Sequence, residues 1–137
     1  MKKEDSLRIS GYLNLIGAIV LERSSFGNER NTDGVLCQRV FSYLVDNFSE
    51  NISLSQVAKR LGYNEKYLSH TLHSLTGVHF RKLLNSYRID HAKKLLTGSC
   101  DMNISEIAAS CGFNSLNTFN REFKTIVGVT PSEYRGK

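Results

Sequence analysis

The segment VHFRKLLNSYRIDHAKKLLT, residues Val78–Thr97, decides the fold because nearly the same sequence pattern flanks it on both sides. Its apolar residues recur every three or four positions, which is the spacing of one buried stripe on an α-helix. The predicted stripe consists of Phe80, Leu83, Leu84, Tyr87, Ala92, Leu95 and Leu96. The charged residues, Arg88 among them, are assigned to the remaining faces. We predict one helix, roughly 28 Å long, that holds two similar modules at a fixed separation.

The flanking pattern is a short helix, a glycine turn and a second helix. Upstream, an amphipathic helix is predicted from Val35, with Val45 on its inward stripe. Ser53 and Gln56 form a capping box for a helix that ends at Leu61, and Asn64 caps a helix over residues 65–76 in which Leu75 faces inward. Downstream, Asn103 and Glu106 repeat the capping box, and helices are predicted over residues 104–111 and 115–127. The offset is 50 residues in the first helix and 51 after the turn. The paired positions are Leu54/Ile104, Val57/Ile107, Ala58/Ala108, Gly62/Gly112, Leu68/Phe119, Leu72/Phe123 and Gly77/Gly128.

This repeat predicts two helix-turn-helix units. The alanines at positions 58 and 108 stand where two helices must cross closely, and the glycines at 62 and 112 supply the turns. In such units the second helix enters the DNA major groove. Helical hairpins that bind no DNA also show a small residue four positions before a glycine. Two copies on one connecting helix favour DNA binding.

The C-terminal segment ISEIAASCGFNSLNTFNREFKTIVGVTPSEYR, residues 104–135, carries IA, CGF, TFNREFK and GVTPSEYR in that order. With LSQVAKRLGYNEKYLSHTLHSLTG and YRIDHAKKLL before it, it resembles the C-terminal domain of AraC/XylS-type bacterial transcription regulators. The resemblance implies an all-α fold of about seven helices, with two helix-turn-helix subdomains joined by a long linker helix. It also implies that a monomer binds an asymmetric DNA site. The implied base-contacting residues are Lys66, Ser69 and His70 in the first unit, and Leu116, Asn117, Asn120 and Arg121 in the second.

The second predicted set also has a physical basis. Asn117, Asn120, Arg121 and Lys124 share one helix face, opposite the apolar residues. Asparagine suits adenine and arginine suits guanine as readers of base edges. The alternative is a solvated surface of a helix with no such role. Residues predicted to contact phosphates are Lys59, Arg60, Arg81, Lys124 and Arg135.

The first unit departs from the family pattern. Members often carry an arginine near position 70, an aromatic residue at 72 and a lysine at 73 or 74. Here the helix reads YLSHTLHSL, with Lys66 as its one clear cation. We therefore expect the first recognition helix to contribute less affinity than the second.

Residues 1–34 are predicted to lie outside the DNA-binding domain, which is assigned to residues 35–137. Leu15–Leu21 is apolar on all sides and is interpreted as an element that packs on a partner or remains from a sensor or dimerisation domain. A targeting signal is the less favoured alternative, because Glu4 and Asp5 interrupt the basic start and no cleavage site follows. The polar segment Gly27–Gly34 is predicted to be a linker. The chain is interpreted as the C-terminal part of a longer regulator, or else as a short complete member.

Composition agrees with a polyanion as partner. The net charge is +5, and because residues 1–34 hold five basic and five acidic side chains, the whole excess lies in residues 35–137. Double-stranded DNA is the expected partner, RNA polymerase a possible second one, and a membrane is not expected. Dimerisation is expected only if a missing N-terminal domain supplies it. The expected location is the bacterial cytoplasm, associated with the nucleoid.

Other chemistry has little support in the sequence. Cys37, Cys100 and Cys111 form no CxxC pair and are expected to be reduced thiols, with Cys111 and Cys37 in the core. No acidic or thiol residue stands at ligand spacing beside His70 and His73, so neither a metal nor a cofactor is expected. No catalytic motif is present, so an enzyme is not expected. A helical protein-binding module that keeps the fold without specific DNA binding is the remaining alternative.

Overall fold

A computed structural model describes residues 31–136, and all the regular structure in that range is helical. The helices are α1 (Asn31–Asn47), α2 (Leu54–Leu61), α3 (Glu65–Thr76), α4 (Phe80–Thr97), α5 (Ile104–Ser110), α6 (Leu116–Val127) and α7 (Pro131–Arg135). This confirms the all-α prediction, with α4 as the long connecting helix. The predictions for residues 1–30 lie outside the described residues.

The two units, α2–α3 and α5–α6, are built by the same local interactions. The backbone N–H of Ser53 donates to Gln56 Oε1 at 2.8 Å, and that of Asn103 donates to Glu106 Oε2 at 2.7 Å, so both capping boxes form. Each turn contains a left-handed glycine, Gly62 at φ 77° and Gly112 at φ 90°. Each turn also closes with a bond from the residue after the glycine to the carbonyl of the buried alanine, at 2.9 and 3.1 Å. These matching interactions confirm the predicted repeat.

Two separate hydrophobic cores lie along α4, and this helix forms part of both. The first core is formed by Leu36, Cys37, Val40, Leu44, Ile52, Val57, Ala58, Leu68, Leu72, Phe80, Leu83 and Leu84. The second is formed by Ile89, Ala92, Leu96, Ile107, Ala108, Cys111, Phe113, Phe119, Phe123 and Ile126. The first half of α4 therefore packs with α1, α2 and α3, and the second half with α5 and α6. Helix α7 packs against α4 and α6.

Three predictions about helices α1 and α3 are wrong. Helix α1 begins at Asn31 rather than Val35, so residues 31–34 of the predicted linker form its first turn. Val45, predicted to face inward, is 55% exposed. Leu75 is 43% exposed, and the small side chains of Thr71 and Thr76 are buried instead. The Thr76 hydroxyl satisfies its polarity by donating to the Leu72 carbonyl at 2.7 Å.

The sequence pattern also predicts the wrong environment for Arg88. It was assigned to a solvent face of α4, yet it is only 5% exposed and lies between the two cores. Its neighbour Ile89, left out of the predicted stripe, is fully buried in the second core. A helical pattern assigns arginine to the surface, because burying a guanidinium without hydrogen-bond partners is unfavourable. The partners of Arg88 are distant in sequence, so the pattern does not reveal them.

The three cysteines are free thiols, and Cys37 and Cys111 are buried as predicted. Burial and the nearby Asp33 carboxylate raise the pKa of Cys37 to about 11. Burial likewise raises the pKa of Cys111 above its ordinary value. Both side chains therefore act as small apolar groups at neutral pH.

Within residues 31–136, no helix has the length and hydropathy needed to cross a bilayer. The same part of the chain contains no group of three or more His, Cys, Asp or Glu side chains placed to hold a metal ion.

The two glycine turns provide a matched test of how the units fit together. An alanine Cβ at Gly62 would meet no atom within 4 Å, whereas at Gly112 it would lie 2.7 Å from the Ser49 carbonyl oxygen and 2.9 Å from that of Phe48. We expect Gly62→Ala to lower the free energy of unfolding by about 1–2 kcal/mol, the cost of a left-handed conformation. Gly112→Ala should lose about 1–3 kcal/mol more, because the backbone of residues 48 and 49 must move.

Urea denaturation of the two variants measures this difference. The first substitution serves as the control for backbone strain, since both glycines have similar φ values. Equal losses in the two variants would contradict the close contact at Gly112.

Candidate nucleic-acid interface

Helices α3 and α6 are equivalent in length and in the way they begin and end. Each has 12 residues, and α6 starts 51 positions after α3. Asn64 accepts hydrogen bonds from the N–H groups of Lys66 and Tyr67, while Ser115 accepts one from Thr118. Left-handed glycines end both helices. Position n on α3 therefore corresponds to position n + 51 on α6.

The outward face of α3 carries the predicted first set of base-contacting residues. Lys66 and His70 are exposed and Ser69 is half-buried, at relative positions i, i+3 and i+4. Leu68, Thr71, Leu72 and Thr76 fill the opposite face. His73 continues the outward face, and its ring stacks on His79 with centroids 4.5 Å apart. The structure thus brings the three predicted residues together on one surface.

The outward face of α6 carries the second set. Asn117 and Arg121 are exposed, Asn120 is half-buried, and Leu116 at the start of the helix is 41% exposed. On the inner face, the rings of Phe119 and Phe123 lie 5.6 Å apart. Phe123 also meets Tyr134 of α7 edge-on at 5.5 Å, so the helix rests on an aromatic cluster.

Arg121 is available for contacts outside the chain. Its Nε lies 3.7 Å from Glu122 Oε1, and its side chain is 70% exposed. An ion pair between adjacent, solvated residues contributes little free energy, so it does not hold the guanidinium away from a partner.

The residues predicted to contact phosphates differ in how far their side chains are exposed. Lys59 and Arg60 in the last turn of α2, Arg81 in the first turn of α4, and Lys124 on α6 are exposed. Arg135 is half-buried instead, and its Nη2 donates to the Met102 carbonyl at 2.6 Å. This side chain therefore helps to hold α7 against the loop between α4 and α5.

Two residues near the first recognition face are absent from the predicted contact set. His73 corresponds to Lys124 in the repeat, and the offset of 51 would have identified it. Tyr67 on α3 donates its hydroxyl to Asp33 Oδ1 at 2.6 Å, and this bond raises the pKa of the phenol. No local pattern indicates that bond, because the partners are 34 residues apart.

Comparison with known proteins identifies this architecture. The sequence model of a helix-turn-helix domain family matches residues 57–137. The chain belongs to this family. An uncharacterised helix-turn-helix transcriptional regulator of Staphylococcus aureus is 41% identical over 98 residues, which cover 72% of the chain but only 13% of that protein. The chain thus spans a small part of the length of such curated relatives.

Two solved structures of helix-turn-helix domains share this fold. The C-terminal domain of AraT, a response regulator from Geobacillus stearothermophilus, is 32% identical with a TM-score of 0.70, covering 74% of this chain and 84% of that one. The DNA-binding domain of AdpA, solved with a target DNA, is 27% identical with a TM-score of 0.66, covering 74% and 89%. The chain has the fold of an AraC/XylS-type helix-turn-helix domain, and these relatives do not favour the protein-binding alternative.

The cap of α3 can be tested against a matched residue in the second unit. Asn64→Ala removes the acceptor for two backbone N–H groups at the start of α3, and should lower the free energy of unfolding by about 0.5–2 kcal/mol. Asn114, which corresponds to Asn64 at the offset of 50, is exposed and precedes the cap Ser115. Asn114→Ala should therefore change stability by no more than about 0.5 kcal/mol.

Thermal or urea unfolding of both variants provides the measurement. A loss in Asn114→Ala as large as that in Asn64→Ala would show that the extra residue in the second turn has been misassigned.

Proposed function

We propose that this chain is the DNA-binding part of a sequence-specific transcription regulator, and that α3 and α6 enter two successive major-groove segments of double-stranded DNA. The observation that carries this is the pair of equivalent outward faces on two 12-residue helices, held by one connecting helix. Major-groove faces repeat about every 34 Å along DNA. The 18 residues of α4 span about 27 Å, so the two faces can meet adjacent turns of one duplex.

In the second unit, Arg121 is proposed to read a guanine, since its guanidinium can donate to O6 and N7 together. Asn117 and Asn120, one turn apart on the same face, are proposed to read adenines. Leu116 offers an apolar contact for a thymine methyl group. The aromatic cluster beneath α6 supports this assignment, because a reader needs a rigid base.

In the first unit, Lys66, Ser69 and His70 are proposed to contact base edges. Compared with α6, this face lacks both asparagine and arginine, so we propose that it contributes less to affinity. The four exposed cations Lys59, Arg60, Arg81 and Lys124 are proposed to contact phosphates. Arg135 is proposed as a weaker phosphate contact, since one of its nitrogens already donates to a backbone carbonyl.

The properties of the whole regulator are proposals of a broader kind. Contact with RNA polymerase would be required for activation, and dimerisation would come from a sensor domain outside residues 35–137. The relatives are transcriptional regulators, so we propose no enzymatic activity and a site of action on the bacterial chromosome, in the cytoplasm.

The proposal is tested by selecting binders from a random DNA pool at moderate salt. We expect enrichment of an asymmetric site with two blocks about one helical turn apart. Enrichment of one block would show that the first unit contributes almost nothing to base preference. No enrichment and no salt-sensitive binding would overturn the proposal in favour of a protein-binding module.

Arg121→Ala should weaken binding to the selected site by about 1–3 kcal/mol and relax the preference at one guanine, because a bidentate base contact is lost. Repeating the selection with the variant locates the affected position. Unchanged base preference would contradict the assignment of Arg121.

Lys124→Ala should weaken binding to all sequences alike and reduce the slope of log affinity against log salt by about one unit, because a phosphate contact releases one counterion. Lys94→Ala is the control, since Lys94 is exposed on α4 and belongs to neither recognition helix. Titrations at several salt concentrations compare the two. A loss confined to one base position would place Lys124 among the base readers instead.

A further inference from the structure

The buried Arg88 lies where the two cores meet. Along α4, Leu84 is the last buried residue of the first core, against which the half-buried Tyr87 also packs, and Ile89 is the first residue of the second core. Arg88 directly precedes Ile89, and its side chain is almost entirely buried. A charged group in this position needs a specific reason, because an unsatisfied guanidinium inside a protein is strongly unfavourable.

The hydrogen bonds of Arg88 reach the segment that leads into the first unit. Its Nε donates to the Phe48 carbonyl at 2.7 Å, and its Nη2 donates to the Glu50 carbonyl at 2.8 Å. These carbonyls belong to the segment between α1 and α2, and they are 40 and 38 residues away in sequence. The planar guanidinium therefore holds this segment through two bonds of fixed geometry.

The same side chain touches the second unit. Its Cζ lies 5.6 Å from the centroid of the Phe113 ring, which follows the turn between α5 and α6. Cation–π attraction is favourable at that distance. Burial lowers the pKa of Arg88 below its ordinary value, but an arginine stays charged in water-soluble proteins at neutral pH.

A second contact joins the segment between α1 and α2 to the turn between α5 and α6. Gly112 lies so close to residues 48 and 49 that any side chain there would collide with their carbonyl oxygens. The Phe48 ring also packs against His91 on α4, with centroids 4.9 Å apart. Phe48, Ser49, Glu50, Arg88, Gly112 and Phe113 thus form one contact, which we name the Arg88 junction.

We propose that Arg88 is a positioning residue that fixes the rotation of the second unit relative to the first, and so selects the number of base pairs between the two blocks of the DNA site. Rotating one unit would pull the Phe48 and Glu50 carbonyls away from the guanidinium and leave buried polar groups unpaired. One added base pair turns the second block by roughly 34° and moves it by roughly 3.4 Å, so a rigid pair of readers tolerates little change in spacing. The inference rests on the two-block binding proposed above.

Two substitutions test this role. Arg88→Lys keeps the charge but cannot donate to both carbonyls in one plane, and Arg88→Met keeps the length without any donor. Lys94→Met is the control, because it removes a cation from an exposed position of the same helix. The DNA probes are the two-block site enriched by the wild type, the same site with one base pair added or removed between the blocks, and the second block alone.

For the wild type and the control, we expect affinity to fall by about tenfold or more when the spacing changes by one base pair. For both Arg88 variants the penalty should shrink to about threefold or less, while binding to the second block alone stays within about twofold of the wild type. If the variants keep the spacing penalty of the wild type, or lose affinity for the single block as much as for the full site, the positioning role is overturned.

A second measurement is independent of DNA. Residual dipolar couplings of the amides in α2–α3 and in α5–α6 should fit one alignment tensor in the wild type and in Lys94→Met. The Arg88→Lys variant, which is the milder change, should need two tensors although each unit still fits well by itself. A single tensor in that variant would overturn the role of Arg88. Failure of the wild type to enrich any two-block site would instead overturn the proposed function, and the alignment-tensor result would still stand.

Discussion

Helix α4 must bury one half of its length in each of two hydrophobic cores, and the arrangement of both helix-turn-helix units follows from this constraint. A single helix covers only one side of each core. Helices α1 to α3 therefore enclose the first core, and α5 to α7 enclose the second core. Both recognition helices then pack by their inner faces, and their polar faces are left outside. Leu68 and Leu72 fix α3 in this way, and Phe119 and Phe123 fix α6.

The two units share a backbone plan but differ in the chemistry they expose. Both units have a capping box and a left-handed glycine in the turn, although the second turn is one residue longer. The outward residues differ, since Lys66, Ser69 and His70 correspond to Asn117, Asn120 and Arg121. Because the inner positions determine the fold and the outer ones meet the partner, one scaffold can hold two readers with separate preferences.

The sequence predicts the local features well because they depend on neighbours in the chain. Capping residues, turn glycines and the repeat offset are visible at short range, and these led to the fold class and to the polar face of α6. Leu75 was misassigned because Thr76 satisfies its own hydroxyl within the helix, which periodicity cannot register. Arg88 and the Asp33–Tyr67 bond were missed because their partners lie more than 30 residues away. The roles of the outward residues depend on a DNA sequence that the chain alone does not encode.

The division into two cores has a consequence for the order in which the molecule opens. Proteins open locally in cooperative units, and a chain with two cores can open one core at a time. The amides of α4 take part in both, so we expect them to exchange with solvent deuterium more slowly than those of α2 or α7. Each unit can therefore open locally while the core of the other unit stays intact.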